Sequence, residues 1–216
     1  MEPVTFATED GVRLEGELRR PDGAPRGTAV VCHAHPRFGG SKDHPILWAV
    51  RNELAGKRSV AALLFDFRGI MGSGGSYGGG HDEVRDVRAA IDRVRDEAAG
   101  RPTIVCGWSF GADVALREAL VDERVAALAL IGLPLTPNDL SVPTAPTAVE
   151  LGSFARPVLL LTGEADAFCR PEDLRSFAAG LVEARVQILA GTDHYLWRRE
   201  REAAALVGDF VDAVLD

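Results

Sequence analysis

Short unbroken apolar runs, separated by stretches of helical length, constrain this chain more than any other feature. Thr28-Ala29-Val30-Val31-Cys32, Val60-Ala61-Ala62-Leu63-Leu64-Phe65, Thr103 to Cys106, Val125 to Ile131 and Val158 to Thr162 are such runs. Each is too short for a packed helix, and a strand that is apolar at every position is covered on both faces. Between them lie segments with helical signals. Pro45 to Ala55 carries its proline in the first turn, where the missing N–H costs nothing. Asp82 to Ala99 repeats Val84, Val87, Ile91 and Val94 at spacings of three and four with charge between them. Phe110 to Val121, Pro171 to Leu181 and Trp197 to Leu215 read as further helices. Val12 to Leu18 alternates with period two, as a half-buried antiparallel strand does, and Val186 to Leu189 is a last strand. Buried strands joined through helices require right-handed crossovers. The predicted class is therefore α/β, a mostly parallel sheet with helices on both faces, built as a single domain over residues 1–216. In such sheets chemistry gathers in the loops after the carboxyl ends of the strands.

Composition removes other classes. The 216 residues are 46% hydrophobic and 26% charged, as in ordinary globular domains. A formal net charge of −8 opposes a broad grip on nucleic acid or on an anionic membrane. No run of 18 apolar residues occurs, and Met1 to Thr5 lacks a basic segment followed by an apolar one. Cys32, Cys106 and Cys169 are too few, and odd in number, for a disulfide framework, so a reducing, cytoplasmic setting is expected.

The loop after Thr103 to Cys106 reads Gly107-Trp108-Ser109-Phe110-Gly111. This is Gly-x-Ser-x-Gly between a strand and a helix, where a sharp turn lifts a serine hydroxyl above the sheet and small residues on either side relieve the crowding. A serine nucleophile needs a base, and the base needs an acid to orient it. Gly163-Glu164-Ala165-Asp166 follows one later strand, and Gly191-Thr192-Asp193-His194 follows the next. Ser109, Asp166 and His194 thus occur in a workable order, and His194 is the one histidine downstream of Ser109. Glu164 competes with Asp166 for the acid's place, but the Gly-x-x-Asp spacing favours Asp166, and Asp193 reads as a solvated neighbour of the histidine.

These loops together resemble the α/β-hydrolase superfamily over nearly the whole chain, from about Val12 to the final helix. The resemblance is greatest to its small cap-less bacterial members near the dienelactone-hydrolase-like branch. That group carries a His-Pro-His-Pro-x-x-Gly-Gly loop, here His33-Ala34-His35-Pro36-Arg37-Phe38-Gly39-Gly40, and an Asn/Asp-Phe-Arg-Gly segment, here Asp66-Phe67-Arg68-Gly69. Ala34 and Met71 depart from the usual pattern. Dienelactone hydrolases use a cysteine where this chain has Ser109, so their particular activity does not carry over.

The resemblance implies a serine hydrolase that cleaves a small carboxylic ester or thioester with no cofactor and no metal. The oxyanion of the tetrahedral intermediate would be held by the backbone N–H of Phe110, the residue after the nucleophile, and, by resemblance, by that of His35. His33, Gly39 and Gly40 would shape the loop, and Asp66 and Arg68 would brace neighbouring loops through a charge-assisted hydrogen bond. Trp108, Phe38, Leu133, Leu135 and Tyr195 are candidate walls of the substrate pocket. Gly132 to Arg156, with Pro134, Pro137, Pro143 and Pro146, is too short for an independent helical cap. Alternatives at this point are an acyltransferase or short-peptide or amide hydrolase using the same residues, a catalytically silent binding protein of the same fold, and a zinc site on His33, His35 and His44. Oligomeric state is not legible.

Overall fold

A computed structural model describes residues 1–136, 146, 148–152 and 154–216. Among them eight strands form one sheet: β1 Glu2–Ala7, β2 Arg13–Arg19, β3 Gly27–Cys32, β4 Val60–Phe65, β5 Thr103–Trp108, β6 Val125–Ile131, β7 Val158–Gly163 and β8 Ala184–Leu189. Their spatial order is β1-β2-β4-β3-β5-β6-β7-β8. β1 and β2 pair antiparallel with each other, and β2 pairs antiparallel with β4. Every later pairing is parallel. The helices are α1 Pro45–Lys57, α2 Glu83–Arg95, α3 Phe110–Val121, α4 Ala148–Leu151, α5 Pro171–Ala178 and α6 Glu200–Leu215. This is the α/β-hydrolase architecture. No described helix is long and apolar enough to cross a membrane.

The apolar runs are explained by two cores. On β3, Val30 and Cys32 enter one core with Val87, Ile91 and Val94 of α2, Val114 of α3 and Leu174 of α5. Ala29 and Val31 enter the other with Ile46 and Val50 of α1 and Val207 and Phe210 of α6. The period of two therefore persists, but both faces are dry, so every position is apolar.

The differences from the sequence reading lie at the edges. β1 is an added strand. Val4 is its one buried residue, and Pro3 marks an edge position, so it carries little apolar signal. β8, at the other edge, alternates between exposed and half-buried, and it begins two residues earlier than expected. α2 and α5 stop at Arg95 and Ala178, short of the expected Ala99 and Leu181, and α6 begins at Glu200. Of the expected proline-rich loop, residues 137–145, 147 and 153 lie outside the described residues.

Two buried ion pairs fasten the loops above the sheet. The Lys42 ammonium lies 2.8 Å from Asp66 Oδ2, and its backbone N–H donates to Asp66 Oδ1 at 2.7 Å. Arg68 donates to Asp86 from its backbone N–H and its guanidinium at 2.8–2.9 Å, and it also reaches Asp10. Asp66 and Arg68 thus each brace a loop, but with separate partners and not with one another. Both Asp66 and Asp86 are fully buried. Burial pushes the Asp86 carboxyl up to about 6 against the pull of Arg68. Removing one partner of such a pair strands the other charge in the interior. We expect Asp86→Ala to cost about 3 kcal/mol in urea unfolding, the lower end of the range because Asp10 still holds Arg68.

Candidate active site

The turn between β5 and α3 is built by three residues. Ser109 has φ +56° and ψ −121°, a left-handed conformation that costs a non-glycine residue about 1–3 kcal/mol. Its backbone is secured on both sides: its N–H donates to Ile131 O at 2.8 Å, and its carbonyl accepts from Ala112 N–H at 2.9 Å. The side chain makes no helix-cap bond, which leaves Oγ free. The two glycines have no room for a Cβ. A methyl group on Gly107 would lie 2.3 Å from Gly111 O, and one on Gly111 would lie 2.5 Å from the carbonyl oxygens of Cys32 and His33. The strand, the turn and the helix therefore touch backbone to backbone.

That turn sets Ser109 Oγ 2.9 Å from His194 Nε2. His194 Nδ1 lies 2.8 Å from Asp166 Oδ2. All three residues are buried to within a few per cent. The carboxylate is held by four donors. Besides His194, Thr162 Oγ1 lies 3.0 Å from Oδ2, while the backbone N–H groups of Phe168 and Cys169 donate to Oδ1 at 2.8 and 2.9 Å. With Asp166 accepting from Nδ1–H, Nε2 carries no proton and can accept the hydrogen bond of the Ser109 hydroxyl. Glu164 is exposed and accepts instead from Gly191 N–H. Asp193 is exposed and caps the Tyr195 N–H. Trp108 ties the histidine loop down by donating from Nε1 to His194 O at 3.1 Å.

The loop from His33 to Gly40 lies beside this arrangement. His33 is fully buried; its Nδ1 lies 2.6 Å from Ala34 O, and its Nε2 accepts from Phe67 N–H at 3.0 Å. His35 Nδ1 accepts from Arg37 N–H at 3.1 Å, and Nε2 lies 3.0 Å from the Tyr77 hydroxyl. The four ring nitrogens are thus engaged in holding the loop, and no group of three metal-ligating side chains occurs among the described residues. Gly40 admits no Cβ, because one would lie 2.0 Å from Ala34 O. The backbone N–H groups of His35 and Phe110 have no acceptor among the described residues.

A groove of about 190 Å³ opens over Ser109. Of the expected pocket walls, Phe38, Trp108 and Tyr195 line it; His35, Gly39 and Gly40 of the neighbouring loop, with Ala34, His44 and Phe168, complete the lining. Leu133 and Leu135 do not line it. Leu133 is fully buried in the core beside α3 and α5, and Leu135 packs on that core, because the chain turns down between β6 and the Asp166 loop. Two further residues escaped the sequence reading. Thr162 grips the carboxylate. Gly132, with φ +57°, presses its backbone on the His194–Asp166 pair, so that an added methyl would lie 3.0 Å from His194 Cε1 and 3.3 Å from Asp166 Oδ2.

Two predictions come from these contacts. Gly132→Ala should cost about 1–2 kcal/mol in unfolding and displace the His194 ring in a crystal structure of the variant. Gly79→Ala, at a similar φ of +76° but in open space, should show the cost without the displacement. Burial pushes the His33 imidazole down from 6.5 to about 4. The unfolded chain therefore takes up this proton first as pH falls. The contribution of His33 to stability is complete above about 6.5 and is lost progressively down to about 4. Stability curves measured across this window should fall more steeply for the wild type than for His33→Gln.

Known proteins place this geometry in a family. Residues 27–214 match the family described as the alpha/beta hydrolase domain. A monoacylglycerol lipase of Mycolicibacterium smegmatis is 28% identical over 196 residues, which cover 87% of this chain and 67% of that protein. An α/β serine hydrolase homologue from Coxiella burnetii superposes with a TM-score of 0.83 at 24% identity, covering 96% of each chain. An α/β serine hydrolase without a lid from Xanthomonas campestris superposes with a TM-score of 0.82 at 24% identity, covering 98% of this chain and 94% of that one. With a match running from the first residue of β3 almost to the end of α6, the chain belongs to the α/β-hydrolase family, and hydrolysis is the class of reaction that membership supports.

Proposed function

We propose that the protein cleaves a carboxylic ester or thioester through an acyl-enzyme on Ser109. The observation that carries this reading is the continuous contact from Ser109 Oγ through His194 to Asp166, at 2.9 and 2.8 Å. His194 Nε2 removes the hydroxyl proton as Oγ attacks the acyl carbon. The imidazolium that forms is stabilised by Asp166, which keeps the ring in place and does not itself take the proton. His194 then protonates the leaving alcohol or thiol. A water deprotonated by the same nitrogen releases the acid and restores the serine.

The developing oxyanion needs preorganised donors. The open N–H groups of Phe110 and His35 fit that need, and Phe110 adds the positive end of α3. Each such donor is worth about 3 kcal/mol in the transition state. Glycines at 39 and 40 keep the loop close to the nucleophile, and the small, mostly apolar groove suits a small acyl or alcohol group. The lipase among the relatives, an enzyme named for an ester, favours ester over amide as the bond cleaved. No metal or cofactor enters these steps.

The reading is tested with p-nitrophenyl esters of increasing chain length. Ser109→Ala should lower kcat by at least ~10³-fold with its fold intact. Asp166→Asn should also lose activity heavily, because the amide turns the imidazole to the wrong tautomer. Wild-type activity that survives Ser109→Ala would move the nucleophile elsewhere.

A further inference from the structure

His44 is a groove residue that the proposed acyl-transfer steps leave unused. It directly precedes Pro45, which restricts it to extended backbone, and it sits at φ −115° and ψ 140° as the N-cap of α1. Its ring lies 4.2 Å from the Trp108 ring at 31° and 5.7 Å from that of Trp197. The His194 ring lies on Trp108 as well, tilted at 33° with centroids 5.9 Å apart, so His44 stands one indole away from the acid–base pair.

The hydrogen bonding of His44 fixes its tautomer. Nδ1 accepts from Ile46 N–H at 3.4 Å, which leaves the proton of the neutral ring on Nε2. Burial holds the imidazole below its ordinary pKa, in the same sense. Nε2–H has no acceptor among the described residues. Yet no buried side-chain nitrogen or oxygen among them lacks a partner, so this N–H is accessible to solvent on a residue that lines the groove, with the Glu200 carboxylate as the charge acting on the ring. The rest of the lining offers little that is comparable. Both ring nitrogens of His35 are engaged, Ala34, Phe38 and Phe168 are apolar, and Tyr195 is exposed.

We propose that His44 contacts substrate directly, with Nε2–H donating to an oxygen outside the scissile ester group, so that the preferred substrates carry a hydroxyl, ether or carbonyl oxygen within a few bonds of that group. The aromatic wall positions the chain of the substrate, and His44 supplies a polar match, set deeper than the exposed Tyr195, that distinguishes an oxygenated ester from a hydrocarbon ester of the same shape. A site built to bond an oxygen rejects the analogue lacking it, because its own donor is then left unpaired.

The inference rests on the esterase reading, and one set of kinetics separates the two. Methoxyethyl butyrate and butyl butyrate differ by one ether oxygen in the alcohol part; propyl methoxyacetate and propyl butyrate place the same difference in the acyl part. Each ester is measured with wild type, Ser109→Ala, His44→Phe and His44→Gln. Variant-to-wild-type ratios of kcat/KM cancel the intrinsic reactivity of the esters. We expect His44→Phe to lose about 3- to 10-fold more on an oxygenated ester than on its hydrocarbon partner, the worth of one neutral hydrogen bond. His44→Gln, which keeps an N–H donor, should stay within about 2-fold of wild type. Equal losses on both members of each pair, or no loss, overturn the role of His44 while leaving the esterase reading in place. Hydrolysis of none of the esters by wild type, or hydrolysis that persists in Ser109→Ala, overturns the esterase reading itself. A readout without a His44 variant uses Ser109→Ala: its His44 imidazole NMR signals should shift with methoxyethyl butyrate and not with butyl butyrate, and the absence of that difference counts against the proposal.

Discussion

Gly107 and Gly111 make contact with backbone atoms where any other residue would collide, and the site depends on that contact. It lets β5 turn into α3 within two residues and holds Ser109 at a positive φ. The strain is local, and the surroundings oppose its relief. The serine's own N–H and carbonyl are bound to β6 and to the first turn of α3, and both flanking elements are buried in the two cores. A flexible serine would spend most of its time away from His194. Here the sheet and the helix have already met that positioning cost during folding.

The partners of the serine are placed by the same logic from other strands. Register carries Gly132, Gly163 and the His194 loop to neighbouring ends of β6, β7 and β8. A Cβ on Gly163 would lie 2.4 Å from Asp193 O, so the acid turn and the histidine loop are also in direct backbone contact. Asp166 is gripped by Thr162 and two amides, and Trp108 holds His194 by its carbonyl. Ser109, His194 and Asp166 are thus each immobilised by groups that take no part in the bond making proposed for them. That is what the preorganisation of charge in a dry site requires.

Much of this was legible in the sequence, and the limits are physical. Strands β3 to β7 announced themselves because burial on two faces demands apolar residues at every position. β1 and β8 have solvent on an edge and lose that signal, so one was missed and the other was shortened. Ser109, Asp166 and His194 stood out because a strand–turn–helix serine and two post-strand loops are local patterns. Between Asp166 and Glu164 the Gly-x-x-Asp spacing favours Asp166, and in the structure that is the side chain that faces inward while Glu164 faces solvent. The groove walls were harder still. Leu133 and Leu135 follow a strand just as Phe168 does, yet they turn into the core. His44 and Gly132 reach the site only through packing between segments distant in the chain. The ion pairs Lys42–Asp66 and Arg68–Asp86 likewise join loops whose proximity is a product of the fold.

The central claim is that the fold makes one serine hydroxyl, that of Ser109, reactive. A fluorophosphonate probe applied to the folded protein, followed by peptide mass mapping, tests it most directly. The account predicts one probe per chain on the peptide bearing Ser109, with loss of esterase activity in proportion to labelling and no reaction after unfolding. An unmodified Ser109 in active, folded protein, or a probe found on another residue, would contradict it.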